Sequence, residues 1–127
     1  MKLEDVLKKY KRVAVVGGPV TGKSIVTEQV SDRPTFHSDD FNRDALGWSG
    51  QSEALKEAAA SSETFIVAGC AADRAVRKGL EVDAIIHCTE FQNHLPTDGQ
   101  ATLKRQIDKR TRELAKNTPT FTLKDLL

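Results

Sequence analysis

Eight residues near the start of this chain have the types and the spacing needed to hold a chain of phosphates. Segment 17–24 reads GGPVTGKS and fits the pattern G-x-x-x-x-G-K-[ST] of a phosphate-binding loop. Its glycines allow the backbone to close around phosphate oxygens, so that successive N–H groups point inward. Lys23 would reach the β- and γ-phosphates, and the hydroxyl of Ser24 would ligate Mg²⁺. The pattern therefore predicts that the chain binds a nucleoside triphosphate.

The residues on either side predict the strand and the helix that such a loop requires. The apolar run 12–16 is typical of a buried strand, and residues 23–31 can continue as a helix. A helix that begins at the loop turns its unpaired N–H groups toward the same phosphates. The alternative is a glycine-rich turn that matches the pattern by chance. The predicted nucleotide-binding residues are Gly17, Gly18, Pro19, Val20, Thr21, Gly22, Lys23, Ser24 and Ile25.

A second group of polar residues follows a short strand predicted at residues 35–38. Phosphoryl transfer to a hydroxyl needs a carboxylate that orients the attacking O–H and accepts its proton. Asp39 and Asp40 stand at the end of that strand, where such a carboxylate would be needed. The alternative is structural, because paired acids also serve as a helix N-cap and a first-turn acid. We predict that Asp39 has the catalytic role.

The rest of the chain alternates predicted strands and helices with short connections. Apolar runs at 64–69 and 83–88 predict two further buried strands. Helices are predicted at 2–10, 51–62, 73–80 and 100–117, a loop at 42–50, and an edge strand or short helix after residue 118. This order predicts an α/β fold with a parallel sheet of four to five strands. Together with the phosphate-binding loop, it predicts a three-layer fold of the P-loop NTPase type. Because ligands bind at the carboxyl ends of such strands, the loop, Asp39 and Gly69 would meet at one edge.

Length and composition predict a single domain over residues 1–127. Hydrophobic residues make up 39%, and a formal net charge of +1 gives no indication of bulk nucleic-acid binding. No apolar run approaches the roughly 20 residues of a membrane span, and residues 1–5 lack the apolar core of a signal peptide. Cys70 and Cys88 each end a predicted strand, which is a usual place for a small buried thiol. The predicted compartment is the cytoplasm, where both thiols would stay reduced. No zinc site is predicted, and neither His87 nor His94 is assigned a partner or a role.

At these residues the chain resembles the P-loop kinases that phosphorylate small hydroxyl- or phosphate-bearing acceptors. Segment 17–24 is similar to their loop, and SDDF at 38–41 is similar to the D-D-[FY] segment of the polynucleotide 5′-hydroxyl kinases. Segment 67–78 is similar to the third-strand region of small nucleotide and sugar kinases. The family also includes adenylate-type, uridine and gluconate kinases and the zeta toxins. The resemblance covers roughly residues 12–90 of this chain.

The resemblance implies a phosphotransferase that uses ATP and Mg²⁺, with Asp39 as the proton acceptor. An arginine shortly after that aspartate helps to hold the acceptor or the phosphate in the family, and Arg43 is the nearest match, displaced by one position. Relatives also carry arginines on a mobile lid that neutralises charge and excludes water. In this chain the basic stretch 104–116 offers Arg105, Arg110 and Arg112; the alternative is a solvated helix face. The implied roles are catalysis by Lys23, Asp39 and Arg110, acceptor binding by Asp39, Asp40, Arg43 and Arg74, and metal binding by Ser24 and Asp39.

Two departures from the family pattern leave other functions open. Val20 stands where a third glycine is usual, and Ala68 stands where many relatives carry a carboxylate that assists Mg²⁺. We predict transfer of the γ-phosphoryl of ATP to a hydroxyl or phosphate of a nucleoside, nucleotide or nucleic-acid 5′ end. The alternatives are an ATP-binding or ATPase module without such an acceptor and a non-catalytic nucleotide-binding scaffold. Trp48 and Phe41 would either stack on a base or cover the core.

Overall fold

The computed structural model describes residues 1–92 and 95–127 and contains a five-stranded sheet with helices. The strands are Arg12–Gly17 (β1), Thr35–His37 (β2), Phe65–Gly69 (β3), Ala84–Cys88 (β4) and Thr120–Thr122 (β5). The helices are Leu3–Lys9 (α1), Lys23–Thr27 (α2), Arg43–Ala60 (α3), Ala72–Arg77 (α4), Asp98–Leu114 (α5) and Leu123–Leu126 (α6), with a 3-10 turn at Ser38–Asp40. In this described part of the chain, no helix combines the length and the hydropathy of a bilayer-spanning segment.

The strands lie in the order β2-β3-β1-β4-β5, and every neighbouring pair is parallel. The central strand is β1, where Val15 faces Ala68 of β3 on one side and Ile86 of β4 on the other. Almost all residues of β1, β3 and β4 are buried, as expected for parallel strands covered on both faces. The predicted α/β class and parallel sheet are therefore confirmed.

Helices cover both faces of the sheet, and the connection after β1 uses a different face from the connection after β3. Val13 and Val15 pack with apolar residues of α1, α2 and α6. Ala14 and Val16, which point to the other face, pack with residues of α3 and α4. Neighbouring strands whose connections leave on opposite faces open a crevice at their carboxyl ends. The end of β1 and the end of β3 border such a crevice.

The prediction of a loop at residues 42–50 is wrong, because α3 begins at Arg43. Asn42 caps this helix, and its side-chain oxygen accepts hydrogen bonds from the N–H groups of Asp44 and Ala45 at 2.9 and 3.3 Å. The glycines and serines of this segment suggested a loop, but a helix forms there. The helix is interrupted at Gly47, where φ is +70°. The prediction for the tail is confirmed in both of its forms, since β5 is an edge strand and α6 a short helix.

An ion pair joins β1 to the turn before β4 at the amino end of the sheet. Nη2 of Arg12 lies 2.8 Å from Oδ1 of Asp83, and the backbone N–H of Arg12 donates to Oδ2 at 3.0 Å. The hydrogen bond from Arg12 lowers the pKa of Asp83 below its ordinary value. A carboxyl whose pKa is lowered by folding stabilises the protein above its unfolded-state pKa and loses that effect as the pH falls.

We expect Asp83→Asn to lower the free energy of unfolding at pH 7 by about 1 kcal/mol, because the pair is partly exposed to water. The difference from the wild type should shrink as the pH falls below about 4, where the wild-type carboxylate takes up a proton. Urea denaturation at several pH values measures both quantities. Glu81→Gln is the control, since Glu81 is exposed and contacts Arg12 at 3.4 Å. A difference that stays constant with pH would contradict the assignment.

Candidate functional site

The predicted phosphate-binding segment forms a tight loop between β1 and α2. Gly22, directly before α2, has φ +91°, a conformation that residues with a side chain rarely adopt. Gly18 has no room for a side chain, because a Cβ there would lie 2.6 Å from Cβ of Lys104 on α5. The backbone of the loop is therefore shaped by glycine at one end and by close packing against α5 at the other.

The side chain of Lys23 lies along this loop. Its Nζ donates to the carbonyl oxygens of Gly18 at 2.6 Å and Gly17 at 3.2 Å. The hydroxyl of Thr21 donates to the same Gly18 oxygen at 2.8 Å. The amine is thus positioned by backbone oxygens, and a bound phosphate would have to replace those contacts.

Val20 is the one residue of the loop that departs most from ordinary backbone geometry. Its φ is +54°, which is an outlier for a β-branched residue and costs on the order of 1–3 kcal/mol. Its carbonyl oxygen accepts a hydrogen bond from the N–H of Gln92 at 3.0 Å, which holds the segment after β4 against the loop. Valine therefore occupies a conformation suited to the glycine that the kinase pattern has at this position.

The 3-10 turn that carries Asp39 is held by two buried side chains. The hydroxyl of Ser38 donates to the carbonyl of Ala68 at 3.2 Å and accepts from the N–H of Ala71 at 3.1 Å. Nε2 of Gln51 on α3 donates to the carbonyl oxygens of Ser38 and Phe41 at 2.8 and 3.1 Å. Sequence reasoning assigned no role to either side chain, although Ser38 precedes Asp39 directly. The alternative of an N-cap for the two aspartates does not apply to α3, whose cap is Asn42.

The structure brings the loop and Asp39 together in one cleft of about 250 Å³. The cleft is lined by Val20, Thr21, Gly22, Lys23, Ser24, Thr27, His37, Ser38, Asp39, Ala68 and Gly69. A second cleft, of about 340 Å³, is lined by Asp39, Asp40, Phe41, Asn42, Arg43, Asp44 and Gln51. Asp39 lines both clefts, and no residue of the loop lines the second one.

Cys70 follows β3 and lies among charged groups of this site. Burial raises the pKa of its thiol above the ordinary value, and the charges of Asp39 and Asp73 raise it further. Lys23 and Arg43 act in the opposite direction. Both cysteines are free, and burial raises the pKa of the more deeply placed Cys88 to about 11. The pKa of the Cys70 thiol therefore responds to the charges of the residues around the cleft.

Arg110 is not among the residues that line either of these clefts. It pairs with Asp73 of α4, which is fully buried, and burial raises the pKa of Asp73 while the pair with Arg110 opposes that effect. Arg110 also lines a separate cavity of about 500 Å³, together with Arg12 at the start of β1. In this conformation the predicted catalytic arginine holds α5 against α4.

The two arginines predicted to bind the acceptor, Arg43 and Arg74, contact Trp48 on α3. The Cζ atoms of Arg43 and Arg74 lie 4.4 and 5.2 Å from the centre of the Trp48 ring. These distances are typical of cation–π contacts. The ring of Trp48 thus contacts two guanidinium groups of the protein itself.

The expectation that His87 has no partner is wrong. Its Nε2 lies 2.8 Å from Oδ1 of Asp108, whose Oδ2 accepts from Nζ of Lys104 at 2.7 Å. These contacts attach α5 to the end of β4, close to the loop. Sequence reasoning missed them because Asp108 and Lys104 belong to a helix that was interpreted as a solvated or lid-like basic face. His94 lies outside the described residues.

Oxygen donors in the loop cleft suit Mg²⁺. Ser24 and Asp39 both line it, and Mg²⁺ is commonly bound by one or two protein oxygens together with water and substrate phosphates. Within residues 1–92 and 95–127, no group of three or more His, Cys, Asp or Glu side chains is placed to hold a metal. The donor set therefore fits Mg²⁺ that is bound together with a triphosphate.

No protein-family model, no curated protein and no solved structure matches this chain. The chemistry of the two clefts is therefore the basis on which a function can be assigned.

We expect Ser38→Ala to lower the free energy of unfolding by about 1–3 kcal/mol, because it leaves the buried N–H of Ala71 without its acceptor. Chemical denaturation measures the change. Ser61→Ala is the matched control, since the hydroxyl of Ser61 bonds to the carbonyl of Ala58 in an exposed turn, and its effect should stay within about 0.5 kcal/mol. Equal stability of the Ser38 variant and the wild type would mean that this hydroxyl does not hold the turn.

We expect Asp39→Asn to speed alkylation of Cys70 by about twofold at a fixed, mildly alkaline pH. The negative charge of Asp39 raises the pKa of the thiol, so its removal lowers that pKa and increases the thiolate fraction, which is the reactive form. Mass spectrometry of the Cys70 peptide follows the rate. Asp40→Asn is the control, and it should leave the rate unchanged. A faster rate in the Asp40 variant alone would show that the neighbouring carboxylate, and not Asp39, faces the thiol.

Proposed function

We propose that this protein is a P-loop kinase, a phosphotransferase that moves the γ-phosphoryl of ATP to a hydroxyl or phosphate of a nucleoside, nucleotide or nucleic-acid 5′ end. The observation that supports it most is that Lys23, Ser24 and Asp39 line a single cleft. An ammonium group suited to phosphate oxygens and a carboxylate suited to a hydroxyl proton are thus within one small volume.

Lys23 and the N–H groups of the loop bind the triphosphate in this proposal. They stabilise the negative charge of the transferred group without having to reorient in water, since the loop is already formed. The contacts of Nζ with Gly17 and Gly18 keep the amine at the loop until phosphate oxygens replace the carbonyls.

Asp39 orients the acceptor hydroxyl and takes its proton. Its side chain is exposed, and in the described part of the chain no hydrogen bond or ion pair engages its carboxylate. Ser38 and Gln51 meanwhile fix the backbone on which it stands. The carboxylate is therefore free for a substrate while its position is constrained, as a general base requires.

Ser24 and Asp39 are the residues that would hold Mg²⁺ beside the triphosphate. When bound, Mg²⁺ would neutralise part of the negative charge of the triphosphate. The β3 strand adds no carboxylate to this set, since Ala68 and Gly69 line the cleft at its end.

That absence favours a second candidate, a nucleotide-binding or ATPase module that has no small-molecule acceptor. Val20, whose backbone is strained where the kinase pattern has a glycine, favours a third candidate, a non-catalytic nucleotide-binding scaffold. The unengaged carboxylate of Asp39 beside a second cleft favours the kinase.

We expect Lys23→Ala to abolish ATP turnover, and Asp39→Asn to reduce phosphoryl transfer by about 100-fold or more while the affinity for ATP, measured without Mg²⁺, stays within about twofold. Transfer is measured with radiolabelled ATP and a panel of nucleosides, nucleotides, sugars and 5′-hydroxyl oligonucleotides. ATP affinity is measured separately by calorimetry. Glu63→Gln, which removes an exposed carboxylate before β3, is the control and should match the wild type.

Each alternative has its own outcome in this experiment. Consumption of ATP that does not depend on any acceptor supports the ATPase. Binding without consumption supports the scaffold. Transfer that persists in Asp39→Asn removes the proton-acceptor role from that residue.

A further inference from the structure

His37 lines the loop cleft but has no role in the reaction proposed above. It is the last residue of β2, and Lys23, Ser24 and Asp39 line the same cleft. The residue is exposed, and within the described part of the chain no hydrogen bond or ion pair engages its imidazole. The ring is therefore free to bind a group in the cleft, and imidazole is the commonest protein ligand of metal ions.

The pairing of β2 with β3 places His37 beside the position at which the kinase pattern has a carboxylate. His37 is the register partner of Ala68, where many of the kinases that the chain resembles carry an acid that assists Mg²⁺. Paired residues of neighbouring strands point to the same face of a sheet. Ala68 packs with a residue of α2 on one face, whereas Phe36, directly before His37, packs on the other. His37 therefore points to the face on which α2 lies.

The helix α2 and the turn after β2 contribute oxygen donors to the same cleft. Ser24 belongs to α2 and carries a hydroxyl, and Asp39 belongs to the 3-10 turn and carries a carboxylate. With the imidazole of His37, these side chains border one volume of about 250 Å³. The set contains two side chains of the His, Cys, Asp and Glu types, so it relies on the hydroxyl and on phosphate oxygens to complete a coordination shell.

We propose that His37 is a metal ligand that takes the place of the missing carboxylate, so that the site binds Mn²⁺ in preference to Mg²⁺. This inference rests on the proposed function, because the triphosphate supplies the remaining ligands. Mg²⁺ takes oxygen ligands, whereas imidazole nitrogen is a ligand of first-row transition ions. The oxygens of Ser24, Asp39 and the triphosphate suit Mn²⁺ as well as Mg²⁺, and the nitrogen of His37 adds a ligand that favours Mn²⁺.

Metal binding can be measured without catalysis in the complex with the β,γ-methylene analogue of ATP. Electron paramagnetic resonance of the free ion gives the affinity for Mn²⁺, and competition with it gives the affinity for Mg²⁺. We expect His37→Ala to weaken Mn²⁺ binding about tenfold or more and to leave Mg²⁺ binding within about twofold. Glu28→Gln changes an exposed residue directly after α2 that does not line the cleft, and it should match the wild type. Chemical denaturation confirms that each variant folds.

Pulsed electron paramagnetic resonance identifies the ligand directly. A nitrogen atom bound to Mn²⁺ modulates the electron spin echo, and the methylene bridge of the analogue places no nitrogen between the β- and γ-phosphates. We expect the modulation in the wild type and its loss in His37→Ala. Selective isotopic labelling of histidine nitrogen should change the modulation of the wild type, which assigns the signal to an imidazole.

A carboxylate in place of the imidazole should shift the metal preference toward Mg²⁺. His37→Asp places an acid on β2 beside the position at which the kinase pattern has one. We expect the ratio of Mg²⁺ affinity to Mn²⁺ affinity to rise about tenfold over the wild type. Ser31→Asp adds the same charge at an exposed residue outside the cleft, and it should leave the ratio unchanged.

Two outcomes overturn this proposal and leave the kinase function in place. One is Mn²⁺ that binds with the analogue but shows no nitrogen modulation, and the other is an unchanged affinity for Mn²⁺ in His37→Ala. Nitrogen modulation that depends on His37, without transfer to any acceptor, would support the metal ligand and reject the kinase. An analogue that fails to bind with or without metal would reject nucleotide binding and this proposal together.

Discussion

The hydroxyl of Ser38 connects two strand ends, and the arrangement of the cleft depends on that connection. β2 has three residues and pairs only with β3, so its own ladder constrains it weakly. Ser38 adds bonds to both sides of the turn between β3 and α4. This is possible because Gly69 has no side chain; a Cβ there would lie 2.2 Å from the Ser38 hydroxyl. A small polar residue directly after β2 and a glycine at the end of β3 thus place Asp39 beside the loop.

The loop depends in a similar way on residues distant in the chain. α5 packs directly on Gly18, and the contacts among Lys104, Asp108 and His87 hold that helix to the end of β4. The segment after β4 supports Val20 through the N–H of Gln92. A strained residue persists where its surroundings impose its conformation. The loop is therefore preorganised by packing, which reduces the reorganisation that a phosphate ligand would require.

Arg33 and Arg110 are paired with carboxylates, whereas Arg43 and Arg74 contact the ring of Trp48. Arg33 donates to the carbonyl oxygens of Leu7 and Tyr10 and pairs with Asp32, so it ends α1 and stabilises the fold. Arg110 likewise joins two helices through Asp73. The charges of Asp39, Arg43 and Arg74 have no such partner among the described residues, and Asp39 and Arg43 line one cleft.

The sequence by itself determined the parallel α/β sheet, the strand-loop-helix around Lys23 and the position of Asp39 at a strand end. These features follow from local constraints: apolar runs select buried strands, and glycine spacing selects the loop backbone. The start of α3 at Arg43 also follows from a local signal, the cap of Asn42, which the glycines and serines of the segment obscured. Only the tertiary structure decided that Arg110 pairs with Asp73 and that His87 has a partner. The residues of these pairs are 37 and 21 positions apart. Which of many charged side chains meet depends on how helices pack on the sheet, and no spacing along the chain encodes that choice.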